Sequence, residues 1–197
     1  MKAIVIIDMQ NDFVTGPLGS PEAQAIVPTI CKRVVEIAEG CEEAPLVLFT
    51  KDTHYEDYLN TQEGKNLPIP HCIINTPGWS IVKDISSTID YSNGLFRSYS
   101  TPTIIKGRIW KETFGSVKLA ELIRHFNYQK EESVIDEVIF MGVCTDICVV
   151  SNALLTKAYN PELLITVDAS CCAGVTPEKH VAALETMKSC QINVINE

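Results

Sequence analysis

Apolar and polar positions along the chain alternate between two rhythms. Ala3 to Ile7 is apolar on both faces and reads as an interior strand of a parallel sheet, and further strands are read at Pro45 to Thr50, Thr103 to Trp110, Val138 to Met141, Leu163 to Val167 and a last short one at Ile192 to Ile195. Between them lie stretches with apolar residues at helical spacing. Pro21 to Glu39 carries Ile26, Ile30, Val34 and Ile37 on one stripe and is stopped by Gly40. Val117 to Phe126 gathers Leu119, Leu122, Ile123 and Phe126 on one side, and Pro177 to Cys190 makes a helix with Thr176 as its cap. Strands alternating with helices predict an α/β fold with a mostly parallel sheet.

Other stretches break the rhythm. Tyr55 to Trp79 has little periodicity, holds Gly64, Pro68, Pro70, Pro77 and Gly78, and reads as a long functional loop. Ile81 to Ile89 reads as a short helix, Tyr91 to Ser100 as a polar connection or lid, and Lys130 to Glu132 as a solvated turn. Val138 to Leu155 passes directly from strand to helix. With Thr145 or Asp146 as N-cap, Cys148 falls in the first helical turn, where unpaired backbone N–H groups favour an anion. Its thiol pKa is therefore expected to lie below that of a free cysteine, and the same N–H groups are candidates to hold an oxyanion.

Length and composition narrow the classes. A chain of 197 residues with 46% hydrophobic content and no shift in composition is expected to form one domain over residues 1–197. It has no tract long enough to cross a bilayer, and its net charge of −9 argues against nucleic acid or anionic membrane as a partner. A small-molecule substrate is the expectation. Eight cysteines without a secretory leader or a paired CxxC spacing predict reduced thiols in the cytoplasm. The adjacent Cys171 and Cys172 have no assigned role.

Candidate chemistry gathers at strand ends, where open parallel sheets bind ligands. Asp8, Asp52 with His54, Lys111 and Cys148 each follow a different apolar run, so they are expected to meet in one crevice. Singly, Asp8 reads equally well as a turn-closing residue and Lys111 as a surface charge. Together with Cys148 they make a Cys-Lys-Asp group suited to covalent catalysis, with the lysine favouring the thiolate and the aspartate moving the proton. A hydrolase using metal-bound water, with Cys148 a bystander, and a non-catalytic binding or thiol-redox module are the readings from other classes.

These residues sit in motifs. IVIIDMQNDF at Ile4 to Phe13, TKDTH at Thr50 to His54, His71-Cys72, KETFGS at Lys111 to Ser116 and GVCTDICV at Gly142 to Val149 together resemble the isochorismatase-like cysteine hydrolases, in their nicotinamidase-like branch. The resemblance covers nearly the whole chain in order. It implies a Rossmann-like three-layer α/β/α fold with about six strands, a catalytic triad of Asp8, Lys111 and Cys148, and a cis peptide at Val143-Cys144 that turns the N–H groups of Cys144 and Cys148 toward an oxyanion. It further implies a divalent metal, zinc or else iron or manganese, held by Asp52, His54 and His71, with Asn60 at the position of a common fourth ligand. The implied activity is cleavage of a small planar amide such as nicotinamide, a step of NAD salvage, by a homo-oligomer; an N-carbamoyl or ureido compound is the alternative substrate. Phe13 would wall the substrate ring. Pro68 stands where many nicotinamidases have a second aromatic wall, which leaves Trp79 and Trp110 as replacements or as core.

Overall fold

In the computed structural model the described residues are 1–95, 106–128 and 135–197. The chain opens with strand β1 (Lys2–Ile7), the short helix α1 (Asn11–Val14) and helix α2 (Pro21–Glu39). It continues through β2 (Leu46–Asp52), a single 3-10 turn at Tyr58–Asn60, α3 (Gln62–Asn66) and α4 (Lys83–Leu95). Next come β3 (Lys106–Lys111), α5 (Val117–Tyr128) and β4 (Glu137–Val143), which runs into a π turn at Thr145–Val149 and then α6 (Val150–Tyr159). The last elements are β5 (Leu164–Ala173), α7 (Pro177–Ser189) and β6 (Asn193–Ile195).

All pairings in the six-stranded sheet are parallel, in the order β3-β2-β1-β4-β5-β6. Alternate residues of β1 feed two cores. Ala3, Val5 and Ile7 pack with Leu119, Ile123, Ala153, Leu184 and Met187 from α5, α6 and α7 on one face. Ile4 and Ile6 pack with Ile26, Ile30, Val34, Ile85 and Ile89 from α2 and α4 on the other. The result is the expected three layers. β1 lies between β2 and β4, so the chain order reverses direction beside it, and ligands in such sheets lie beyond the strand ends at that point. No helix of the described residues is long and apolar enough to cross a membrane.

Several boundaries differ from those the pattern predicts. β2 continues to Asp52, because Thr50, Lys51 and Asp52 stay paired with β3 although their side chains are polar. β5 continues to Ala173, with a register irregularity against β4 between Phe140 and Gly142, so Asp168 lies inside the strand and not at its end. Cys171 and Cys172 consequently point into opposite cores as free, buried thiols. The 55–79 segment is more ordered than its composition suggests. Thr61 caps α3 by accepting from Gly64 N, and Tyr58 is buried beneath it. The short helix expected at Ile81 to Ile89 begins at Lys83 and extends to Leu95, into the stretch read as a connection. Residues 96–100 of that connection, 103–105 of the third expected strand and the turn at Lys130 to Glu132 lie outside the described residues.

Candidate active site

At the reversal point, β1, β2, β3 and the β4–α6 junction deliver one side chain each. Lys111 Nζ lies 2.6 Å from Asp8 Oδ2, 3.3 Å from Asp52 Oδ1 and 3.6 Å from Cys148 Sγ. All four residues are buried, so the ammonium compensates two carboxylates that have lost their water. Asp8 is held from the other side by Thr50, whose hydroxyl donates to Oδ1 at 2.7 Å. Its backbone is left-handed, with φ of 47°, a conformation that asparagine and aspartate tolerate better than other side-chain-bearing residues.

The proton affinities follow from burial. Asp8 is raised above the usual carboxylate range by desolvation, with Lys111 pulling it back and Asp52 adding to the rise. Cys148 is raised well above a free thiol, by burial first and then by the Asp8 carboxylate, against the lowering effect of Lys111. The expected low thiol pKa is therefore not found. Burial outweighs the lysine, and the thiol stands beside a carboxylate whose own proton affinity is raised.

The turn that carries Cys148 also departs from expectation. Val143-Cys144 is cis, as the motif implies. Cys144, not Thr145 or Asp146, occupies the N-cap position, and no side chain caps the turn. The Thr145 hydroxyl is engaged by His180 Nδ1 at 2.8 Å, and the Asp146 carboxylate accepts from Val175 N at 2.9 Å. Cys144 O accepts from Val149 N at 3.0 Å, the wider winding of a π turn. Asn152 locks the next turn: its amide donates to Cys148 O at 2.7 Å and Phe114 O at 3.1 Å, while its oxygen accepts from Ser116 N at 2.9 Å.

Beside this group stands a set of metal-ligating side chains. Asp52, His54, Glu63 and His71 each offer an atom, all within 4.8 Å of one another. His54 Nε2 is 3.0 Å and His71 Nε2 3.4 Å from Asp52 Oδ2, and Glu63 Oε1 is 3.6 and 3.7 Å from the two imidazoles. His71 Nδ1 donates to Ile69 O at 2.8 Å, which turns Nε2 toward the carboxylate oxygens, where a proton or a metal ion would sit. Such converging acceptors repel one another unless a cation lies between them, so the donor set fits a divalent metal. Glu63 is the fourth donor. Asn60 is exposed and its backbone N–H closes the 3-10 turn on Asp57 O. The sequence signal that points to Glu63 is the Thr61 cap, which starts a short helix between the two histidines.

Residues of the IDMQNDF motif hold this set in place. The Gln10 side chain accepts from Asp52 N at 2.7 Å and donates to Asp52 O at 2.9 Å. Asp12 Oδ2 accepts from Cys72 N at 2.7 Å and so fixes the residue next to His71. Periodicity carries no trace of either contact.

A cavity of about 440 Å³ reaches both groups, lined among others by Asp52, Glu63 and His71 and by Cys144 and Cys148. Phe13 is buried on its wall, 5.3 Å from the His71 ring, and Phe114, half exposed, supplies the second aromatic surface. Trp79 and Trp110 do not line it. They stack edge to face at 5.2 Å, with Lys51 over the Trp79 ring and the Trp79 indole donating to Thr53 Oγ1.

Comparison with known proteins agrees with this architecture. The Isochorismatase domain model matches residues 2–93 and 111–197. A nicotinamidase/pyrazinamidase of Mycobacterium tuberculosis is 28% identical over 99% of this chain and 98% of its own length. Among solved structures, a Bacillus subtilis nicotinamidase/pyrazinamidase superposes with a TM-score of 0.75 at 27% identity, covering 100% of both chains. A Pyrococcus horikoshii pyrazinamidase solved in complex with zinc gives 0.71 at 24% identity, over 100% of this chain and 99% of that one.

Proposed function

The chain belongs to the isochorismatase family and is a hydrolase of amide C–N bonds, and from that premise we propose that it cleaves the carboxamide of nicotinamide, or of a planar amide of similar size, through a thioester on Cys148. The reading is carried by one observation: Lys111 bridges the Asp8 carboxylate and the Cys148 sulfur, and Cys148 lines the same cavity as Asp52, Glu63 and His71 of the metal-donor set.

Asp8 takes the Cys148 proton as sulfur attacks the amide carbonyl, and Lys111 balances the anion on whichever of the two bears it. The backbone N–H groups of Cys144 and Cys148 receive the developing oxyanion. Asp8 then returns the proton to the amide nitrogen, the C–N bond breaks and ammonia leaves. Water adds to the thioester with Asp8 again as base, which releases the carboxylic acid and restores the thiol. A divalent metal, zinc by the donor set, held by Asp52, His54, Glu63 and His71, would supply a Lewis acid for the substrate's ring nitrogen. Phe13 and Phe114 flank the ring. Ammonia release from nicotinamide is the direct test, and Cys148→Ala is expected to lower kcat by roughly 10⁴ or more. Activity that survives that substitution overturns the covalent role.

Lys179 favours a second reading. It is the only lysine or arginine on the cavity lining among the described residues, and suits the carboxylate of an N-carbamoyl amino acid. Turnover of such a compound with none of nicotinamide would decide for it.

A further inference from the structure

We propose that His180 is a positioning residue that clasps the nucleophile turn from α7 and holds Cys148 and the adjoining backbone amides in reacting geometry. The inference rests on the covalent reading above. The turn from Cys144 to Val149 lacks a side-chain cap and winds in the looser π form, so its geometry must be fixed from outside. Its two polar side chains both reach across to the segment around the start of α7. Thr145, fully buried, shares a 2.8 Å hydrogen bond with His180 Nδ1, and Asp146 Oδ1 accepts from Val175 N. Gly174 makes this approach possible: a Cβ there would lie 2.9 Å from His180 Cβ and 3.0 Å from Asp146 Oδ1.

The clasp joins two parts of the site. Thr145 stands between Cys144 and Cys148; the loop before α7, tied to the turn through Asp146, contributes Gly174 and Val175 to the cavity wall, and α7 adds Lys179, one residue before His180. The Thr145–His180 and Asp146–Val175 hydrogen bonds therefore tie the turn that carries the sulfur to the segment that walls the substrate chamber. His180 makes no hydrogen bond or ion pair with Asp8 or Lys111 among the described residues, so it has no direct part in the proton transfers. Its effect must pass through Thr145.

The experiment compares His180→Ala, His180→Asn, Thr145→Val and the double variant His180→Ala/Thr145→Val in the full chain. His180→Ala is expected to lower kcat for ammonia release ~10–100-fold with KM changed less than about threefold, as a misplacement of roughly 1 Å would do. His180→Asn, whose amide reaches the Thr145 hydroxyl, restores most of the rate, and the double variant is no worse than either single one. Equal losses in His180→Ala and His180→Asn, multiplying losses in the double variant, or a wild-type kcat in His180→Ala would each overturn the proposal. Should His180→Ala fail to fold, Thr145→Ser against Thr145→Val decides: the hydroxyl must retain the rate and the methyl lose it. Iodoacetamide alkylation of Cys148, followed by peptide mass spectrometry, gives the same comparison without turnover. If wild-type protein releases no ammonia from nicotinamide, the nicotinamide reading fails on its own, while slower alkylation in His180→Ala, restored in His180→Asn, still upholds the clasp.

Discussion

Asp8 and Cys148 each lose hydration on ionising inside the sheet's crevice, and burial lifts both above their usual ranges while Lys111 draws both down. Lys111 thus acts on two groups with one charge; burial lowers its own pKa, but Asp8, Cys148 and Asp52 outweigh that and leave it raised. Lys111→Met removes a positive charge that lowers the thiol pKa, so the Cys148 pKa is expected to move further up. At fixed pH the thiolate fraction falls about tenfold for each unit of that shift, and the rate of iodoacetamide alkylation falls with it. The measurement is the pH profile of alkylation of the Cys148 peptide; a midpoint that stays put or moves down contradicts the account. The identities of Asp8, Lys111 and Cys148 were legible because each ends an apolar run within a dense motif. The thiol's raised pKa was not, since it depends on how completely four chain segments exclude water from one sulfur.

Helix α2 illustrates what a polar residue inside a strand is for. Arg33 Nε donates to Asp168 Oδ2 at 2.8 Å, and the same carboxylate accepts from Asn196 Nδ2 at 2.9 Å and from Ser170 Oγ at 2.8 Å. Asp168 is fully buried, so this cluster fastens α2 and the end of the chain to β5. Arg33→Met leaves the carboxylate without its counter-charge and is expected to cost about 2–4 kcal/mol in urea denaturation at neutral pH. Adding Asp168→Asn should return part of that loss, and additive losses would show that the pair is not coupled. Sequence pattern placed β5's end at Val167 because Asp168 and Ser170 interrupt the apolar run; only the arginine arriving from α2 explains why the strand continues. The same limit hid the role of Asn152, whose partners Phe114 and Ser116 are more than 30 residues away in sequence.

The sheet, two apolar layers and the polar crevice between them fit the proposal that residues 1–197 make one domain, and the metal-donor set tests how far its parts act together. Asp52 ends β2, His54 follows it, Glu63 rides on α3 and His71 sits in the loop beyond, so an ion bound there would tie the 55–79 segment to the sheet. Binding to the folded state alone adds stability in proportion to ligand excess, about 2.7 kcal/mol at a hundredfold excess over Kd. Zinc should therefore raise the thermal midpoint of chelator-treated protein and slow hydrogen exchange chiefly in 55–79, leaving α5 and α6 unchanged. Glu63→Gln is expected to weaken zinc binding by roughly 10–100-fold, because one anionic donor is replaced by a neutral amide. Calorimetric titration reads that change directly. Undiminished affinity in Glu63→Gln would remove the glutamate from the donor set. Protection spread evenly over the chain would mean that the ion stabilises the whole fold without clamping the segment that walls the active-site cavity.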